Sequence, residues 1–205
     1  MTNRSRKGTT LIELMIASAL ILIVLSVSLS LIVSCLRYFR ETDGAVAVHD
    51  TVLTAVTKLE RDLKESNPGT FQIYTTPPGV VFASPRLPDN TIDFDDTSLQ
   101  PLWQKRICYY LEATDVAGEF NLVRKEEYLP VGDVSDTPPP PTVDTAHFES
   151  SVSSGGVVAR GVTRFDWVPG PPVEVTLACT DISNRGTSSE AEFLVEVNTS
   201  VSFRN

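Results

Sequence analysis

Glu13 is the first acidic residue of the chain, and the next, Glu41, comes only after a long apolar stretch. It sits in Lys7-Gly8-Thr9-Thr10-Leu11-Ile12-Glu13-Leu14-Met15, at the head of a run from Leu14 to Leu36 that carries no charge. A carboxylate placed in hydrocarbon is costly and is tolerated only with a cationic or hydrogen-bonding partner. Two kinds of partner are open to it. One is a cation brought by another molecule; the other is local, since a glutamate near the interface can reach headgroups or bond its own N-terminus one turn away.

Elsewhere the side chains that could do chemistry are sparse. His49 and His147 have no metal-ligand neighbours at useful spacing. No Gly-rich phosphate loop, nucleophile elbow or paired-cysteine knuckle occurs, so neither an enzyme nor a cofactor or metal is expected. Asp89, Asp93, Asp95 and Asp96 supply the oxygens that calcium favours, but their spacing does not fit a hand-type loop and the glycine of such a loop is missing. An acidic loop and an ion site both stay open for Asp93 to Asp96.

Cys35 lies in the apolar run, where it reads as a small hydrophobe, while Cys108 and Cys179 fall in two predicted strands. Cys108 and Cys179 are the candidates for a disulfide if that region faces an oxidising compartment. Alternation sets Cys179 with Val173, Val175 and Leu177 on one apolar face, and Cys108 with Arg106 and Tyr110 on a more polar one. The net charge of -9 argues against nucleic acid, whose affinity comes chiefly from basic side chains at phosphates.

The run after Glu13 must be a helix. At about 1.5 Å per residue, Leu14 to Leu36 spans roughly 35 Å, enough for a hydrocarbon core of about 30 Å. Arg4, Arg6 and Lys7 before it favour a cytoplasmic N-terminus, a single crossing and a head outside. Ala17-Ser18-Ala19 could be a secretory cleavage site, but cutting there leaves too short an apolar region before it. Ile32-Val33-Ser34-Cys35 has the form of a lipobox, which would make the chain a lipid-anchored periplasmic binding protein using Cys35.

Beyond the span, Val52, Val56, Leu59 and Leu63 form one apolar stripe, with Lys58, Glu60, Arg61, Asp62 and Lys64 on the polar side. Asn67-Pro68-Gly69 stops the helix, and Gly44 is the expected soft point between its halves. Serines stand where a proline could have kinked the span, so an unkinked helix is expected. The remainder reads as strands. Phe193 to Phe203 alternates apolar and polar residues; Trp103 to Ala113 and Glu119 to Tyr128 form a hairpin about Ala117-Gly118; Gly161 to Val168 and Val173 to Thr180 form another about 169–172. Pro138 to Pro141 place an exposed loop at 129–145. The class is α+β, a long N-terminal transmembrane helix followed by an antiparallel β-sheet head.

Lys7-Gly8, the stretch Thr9 to Ile16 and the uninterrupted apolar helix together resemble the class III signal of type IV pilins and pseudopilins. The resemblance implies that a prepilin peptidase cuts after Gly8 and methylates Thr9, the new N-terminus. Glu13 then becomes an assembly residue, paired with the freed amine of a neighbouring subunit. This family most often has phenylalanine where Thr9 stands. Leu59-Glu60-Arg61-Asp62-Leu63, Ile107-Cys108-Tyr109-Tyr110, Leu122-Val123-Arg124 and Val201-Ser202-Phe203-Arg204-Asn205 look like the PilW-type minor pilins and the J-type pseudopilins of type II secretion. So read, the chain divides into a leader at 1–8, a transmembrane helix at 9–36, its amphipathic continuation at 37–66 and a periplasmic head at 67–205. The implied partners are other minor pilins or pseudopilins, the major subunit, prepilin peptidase, an inner-membrane assembly platform and membrane lipid. A DNA-uptake pseudopilin is the alternative within the family.

Overall fold

The computed structural model describes residues 10–140, 143–150, 154–170, 172–180 and 194–202. One helix, α1, runs unbroken from Leu11 to Lys64 over 54 residues. It passes through both compact units of the chain, Met1–Asp43 and Gly44–Asn205. The division falls at the glycine expected to be the soft point, although the helix itself continues through it.

From Leu14 to Leu36 α1 is apolar on every side, with Leu14, Leu22 and Leu31 all more than half exposed. It is long and apolar enough to cross a membrane. Three of its hydroxyls are satisfied within the helix: those of Ser18, Ser26 and Ser34 each donate at 2.9 Å to carbonyls one turn back, those of Met15, Ile23 and Ser30. Lipid offers no partner for a backbone or hydroxyl group, so this internal satisfaction is what a spanning helix needs.

In the second unit the stripe turns into core. Val52, Ala55, Val56, Leu59 and Leu63 are at most 5% exposed and pack on one face of an antiparallel sheet. Among the described residues seven strands follow in chain order: β1 Gln72–Thr75, β2 Pro78–Ser84, β3 Lys105–Ala113, β4 Phe120–Tyr128, β5 Ser154–Val168, β6 Val173–Thr180 and β7 Leu194–Val201. Each pairs with its sequence neighbour, so the sheet is a plain meander from β1 to β7. It curls around the helix. Phe71 lies against both Phe82 of β2 and Trp167 of β5, at ring-centroid distances of 6.5 and 5.8 Å. This is the α+β layout expected from the sequence.

α1 ends at Lys64, just ahead of Asn67-Pro68-Gly69. The Asn67 side chain accepts from the Gly69 N–H at 2.8 Å and caps a 3₁₀ turn at Pro68–Thr70, where proline can no longer extend an α-helix. On the far face of the sheet lies a second helix, α2 Thr145–Ser150, whose Phe148 packs with Val81, Cys108, Tyr110 and Val123. Asp144 caps α2 by accepting from His147 N–H at 2.9 Å.

Three sequence expectations are corrected. The segment Leu129 to Thr145 is not uniformly exposed: Leu129 and Thr145 are buried, Trp103 bridges to Ser135, and Thr145 opens α2. β3 begins at Lys105 rather than Trp103, and β5 begins at Ser154, ahead of Gly161. β1 and β2 were not anticipated; β2 is buried on both faces, so it lacks the alternation that betrays a strand. Phe193 and Phe203 lie outside the described residues.

Because Leu59 is 1% exposed at the centre of the stripe, Leu59→Ala should lower the unfolding free energy of the second unit by about 2–5 kcal/mol. Urea denaturation of the full chain in detergent, followed by the β-sheet circular dichroism signal, measures it. A loss near zero would mean that α1 does not pack there.

Candidate functional site

Two polar constellations stand out, one at each end of α1. At the start, Thr10 is the last residue before the helix and Glu13 lies in its first turn. The Thr10 N–H donates to Glu13 Oε2 at 2.9 Å, and the Glu13 N–H lies 3.4 Å from Thr10 Oγ1. That reciprocal arrangement is a capping box, T-x-x-E, whose second contact is long for a hydrogen bond. A carboxylate in the first turn also faces the positive end of the helix dipole. Glu13 thus has a local partner, the second of the two kinds its position allowed. Among the described residues no cation pairs with it. Gly8 and Thr9, the candidate processing residues, lie outside the described residues.

At the other end, Asp62 enters the interior. Predicted on the polar side of the helix, it is 3% exposed. Arg124 of β4 donates from Nε to Asp62 Oδ2 at 2.7 Å, and the Tyr109 hydroxyl of β3 donates to the same oxygen at 2.9 Å. Arg124 also donates from Nη1 to Glu126 Oε2 at 3.0 Å, and Lys105 Nζ reaches that oxygen at 2.9 Å. Charge alternates through the chain of contacts, which is the condition for keeping such groups out of water. Glu60 and Glu65 flank it: Thr199 of β7 donates to Glu60, and Arg86 donates to both oxygens of Glu65.

Burial and the Asp62 carboxylate push the Tyr109 hydroxyl well above its usual range, so it stays neutral and donates. Arg124 is raised despite burial, because Asp62, Tyr109 and Glu126 favour its charge. Burial opposes the charged form of Glu126, but the Lys105 hydrogen bond and the Arg124 charge outweigh it and hold the carboxyl below its ordinary 4.5. Lys58, at the edge of the cluster, is lowered by burial and by Arg124. The network ties helix to sheet.

Gly155 of β5 makes room for it. A methyl group there would fall 2.1 Å from the Arg124 carbonyl oxygen, so only glycine lets β5 lie this close to Arg124.

The structure does not bring Cys108 and Cys179 together. Both are free and buried, on β3 and β6 with two strands between them, and they belong to cores on opposite faces of the sheet. Three strand spacings of about 4.8 Å separate their strands, beyond the reach of a disulfide. Burial raises both thiols, Cys179 to about 12, so neither forms a thiolate readily. Cys35 is exposed on the apolar part of α1 rather than buried. His49 is exposed, and His147 Nε2 lies 3.1 Å from Glu127.

Asp89 accepts from the N–H and hydroxyl of Thr91, and Asp95 from the N–H groups of Thr97 and Ser98. Those carboxylates serve their own turns. Among the described residues no three His, Cys, Asp or Glu side chains are grouped to hold a metal.

Residues 3–29 match the family described as the Prokaryotic N-terminal methylation motif. The match supports a type IV pilin-like protein. It implies processing by prepilin peptidase and assembly with other pilins, and, with the apolar helix, a membrane-anchored structural subunit. No curated protein and no solved structure matches the chain.

The tether makes two tests. Arg124→Met strands Asp62 in the interior and should cost about 3–5 kcal/mol, whereas Asp62→Leu with Arg124→Met should recover most of that. Equilibrium unfolding of the three proteins decides it; equal losses in single and double variants would contradict the pairing. Glu126 titrates lower folded than unfolded, so its stabilisation is present above pH 4.5 and fades as the pH falls through the depressed folded value. Glu126→Gln should therefore flatten stability against pH below about 4.5.

Proposed function

We propose that the chain is a non-enzymatic minor pilin or pseudopilin, cut after Gly8, methylated at Thr9, and built through α1 into a filament of the inner membrane and periplasm. The observation that carries this reading is the position of Glu13. It lies in the first turn of an unbroken apolar helix, inside the stretch that matches the methylation motif. Among the described residues its carboxylate is held by Thr10. A neighbouring subunit's freed ammonium at Thr9 supplies the missing charge, and its position along the bundle sets the axial register of the incoming subunit.

The second unit then serves as a head that meets other minor subunits and the major subunit, initiating or capping the pilus or pseudopilus. The fold is compatible with secretion, motility and DNA uptake alike.

Two experiments test this. Mass analysis of the protein from the membrane fraction should give an N-terminus at Thr9 bearing one methyl group; a start at Met1, or a diacylated Cys35, would overturn the reading. Glu13→Gln separates the two jobs of Glu13, because glutamine closes a capping box but carries no charge. It should be processed normally and yet fail to enter filaments, as Glu13→Ala should. Filament incorporation of Glu13→Gln at the wild-type level would remove the ammonium pairing.

A further inference from the structure

Beyond the apolar run, α1 reads Leu36-Arg37-Tyr38-Phe39-Arg40 before the first acidic residues of the head side, Glu41 and Asp43. All four side chains from Arg37 to Arg40 are exposed, Tyr38 at 68% and Phe39 at 62%. Arg37 and Arg40 stand three apart and so share one side of the helix. Two large exposed aromatics are out of place on a helix meant for water. They fit the boundary between hydrocarbon and headgroups, where amphipathic rings concentrate.

We propose that Arg37, Tyr38, Phe39 and Arg40 form a headgroup clamp, in which the two guanidinium groups hold phosphates of anionic phospholipid in the head-side leaflet. Guanidinium is suited to this, since its planar fork pairs with phosphate oxygens and is weakly hydrated. The rings wedge at the same level and fix the depth of the helix.

This fixes where Glu13 rests. Glu13 lies roughly 36 Å along the axis from Arg37 at about 1.5 Å per residue, while the hydrocarbon between the two interfaces is about 30 Å thick. With the clamp engaged, the Glu13 carboxylate and its capping contact with Thr10 sit in the opposite headgroup layer, in contact with water. Sliding the helix toward the head breaks the phosphate contacts and draws Glu13 into hydrocarbon. The clamp therefore opposes extraction of the subunit. The inference goes beyond the filament role and holds for any role in which α1 crosses a bilayer, so a start at Met1 in the mass analysis would overturn the filament reading and leave the clamp standing.

Cys35 offers the probe. It is exposed, while Cys108 and Cys179 are 0% exposed, so a nitroxide reagent will label it selectively in the folded full chain. Residues two apart do not face each other on a helix, so the label leaves Arg37 free. The full chain is reconstituted in phosphatidylcholine vesicles with and without phosphatidylglycerol, and label depth is read from relaxation by oxygen and by a nickel chelate. In the phosphatidylglycerol vesicles the wild-type label should sit at one depth, and R37Q/R40Q should shift it by about one helical turn, roughly 5 Å. The wild type in phosphatidylcholine alone should resemble the variant. Unchanged helix circular dichroism would show that the variant keeps its fold. A variant label within a small fraction of a turn of the wild type in phosphatidylglycerol would overturn the clamp. So would a shift of the wild type by inorganic phosphate at matched ionic strength, because the site would then take free phosphate.

Discussion

A single helix has to satisfy two solvents. Up to Leu36 every direction around α1 must be acceptable to hydrocarbon, and from Val52 only one stripe may be apolar, because the rest faces water or charged partners. Nothing interrupts the backbone between these regimes, so the change is written entirely in side chains. The serine hydroxyls turned back on the helix, the basic and aromatic residues at 37–40 and the glycine at 44 mark its stages.

The second regime needs more than apolar contact. A smooth stripe of valine and leucine against a curled sheet gives adhesion, which is non-directional, and it does little to forbid rotation or sliding. Asp62 removes that freedom. Its single oxygen accepts from β3 and β4 together, while Glu60 and Glu65 engage β7 and the loop after β2. Buried ion pairs of this sort contribute little net stability compared with hydrophobic replacements, and specificity of docking is the role that best fits this one.

Much of this was legible. The stripe and its stop at Asn67 follow from a 3.6-residue period and turn chemistry, and the two central hairpins from alternation with turn residues between. What escaped had a physical cause in each case. β2 is buried on both faces and so does not alternate. α2 is a helix of six residues, too short to show a period. Asp62 looked like a solvated residue because its partners come from positions 109 and 124, and no local pattern reveals a long-range neutralising charge. Those same residues sit in three of the four head motifs that look like those of minor pilins and pseudopilins. For Glu13 the local half is legible, since Thr10-Leu11-Ile12-Glu13 spells a capping box, whereas a cation supplied by another subunit leaves no signature in one chain.

The order of the strands has a consequence for how the head comes into being. Since every strand of the meander joins the one just before it, the sheet can grow one ribbon at a time from β1 as successive segments become free, without waiting for a remote piece of chain. Residues 44–64 precede all seven strands, so the surface onto which they condense exists from the outset. The maturing molecule is never asked to thread or to close a long crossover, and the last ribbon laid down, β7, is the one that seals its far side to Glu60.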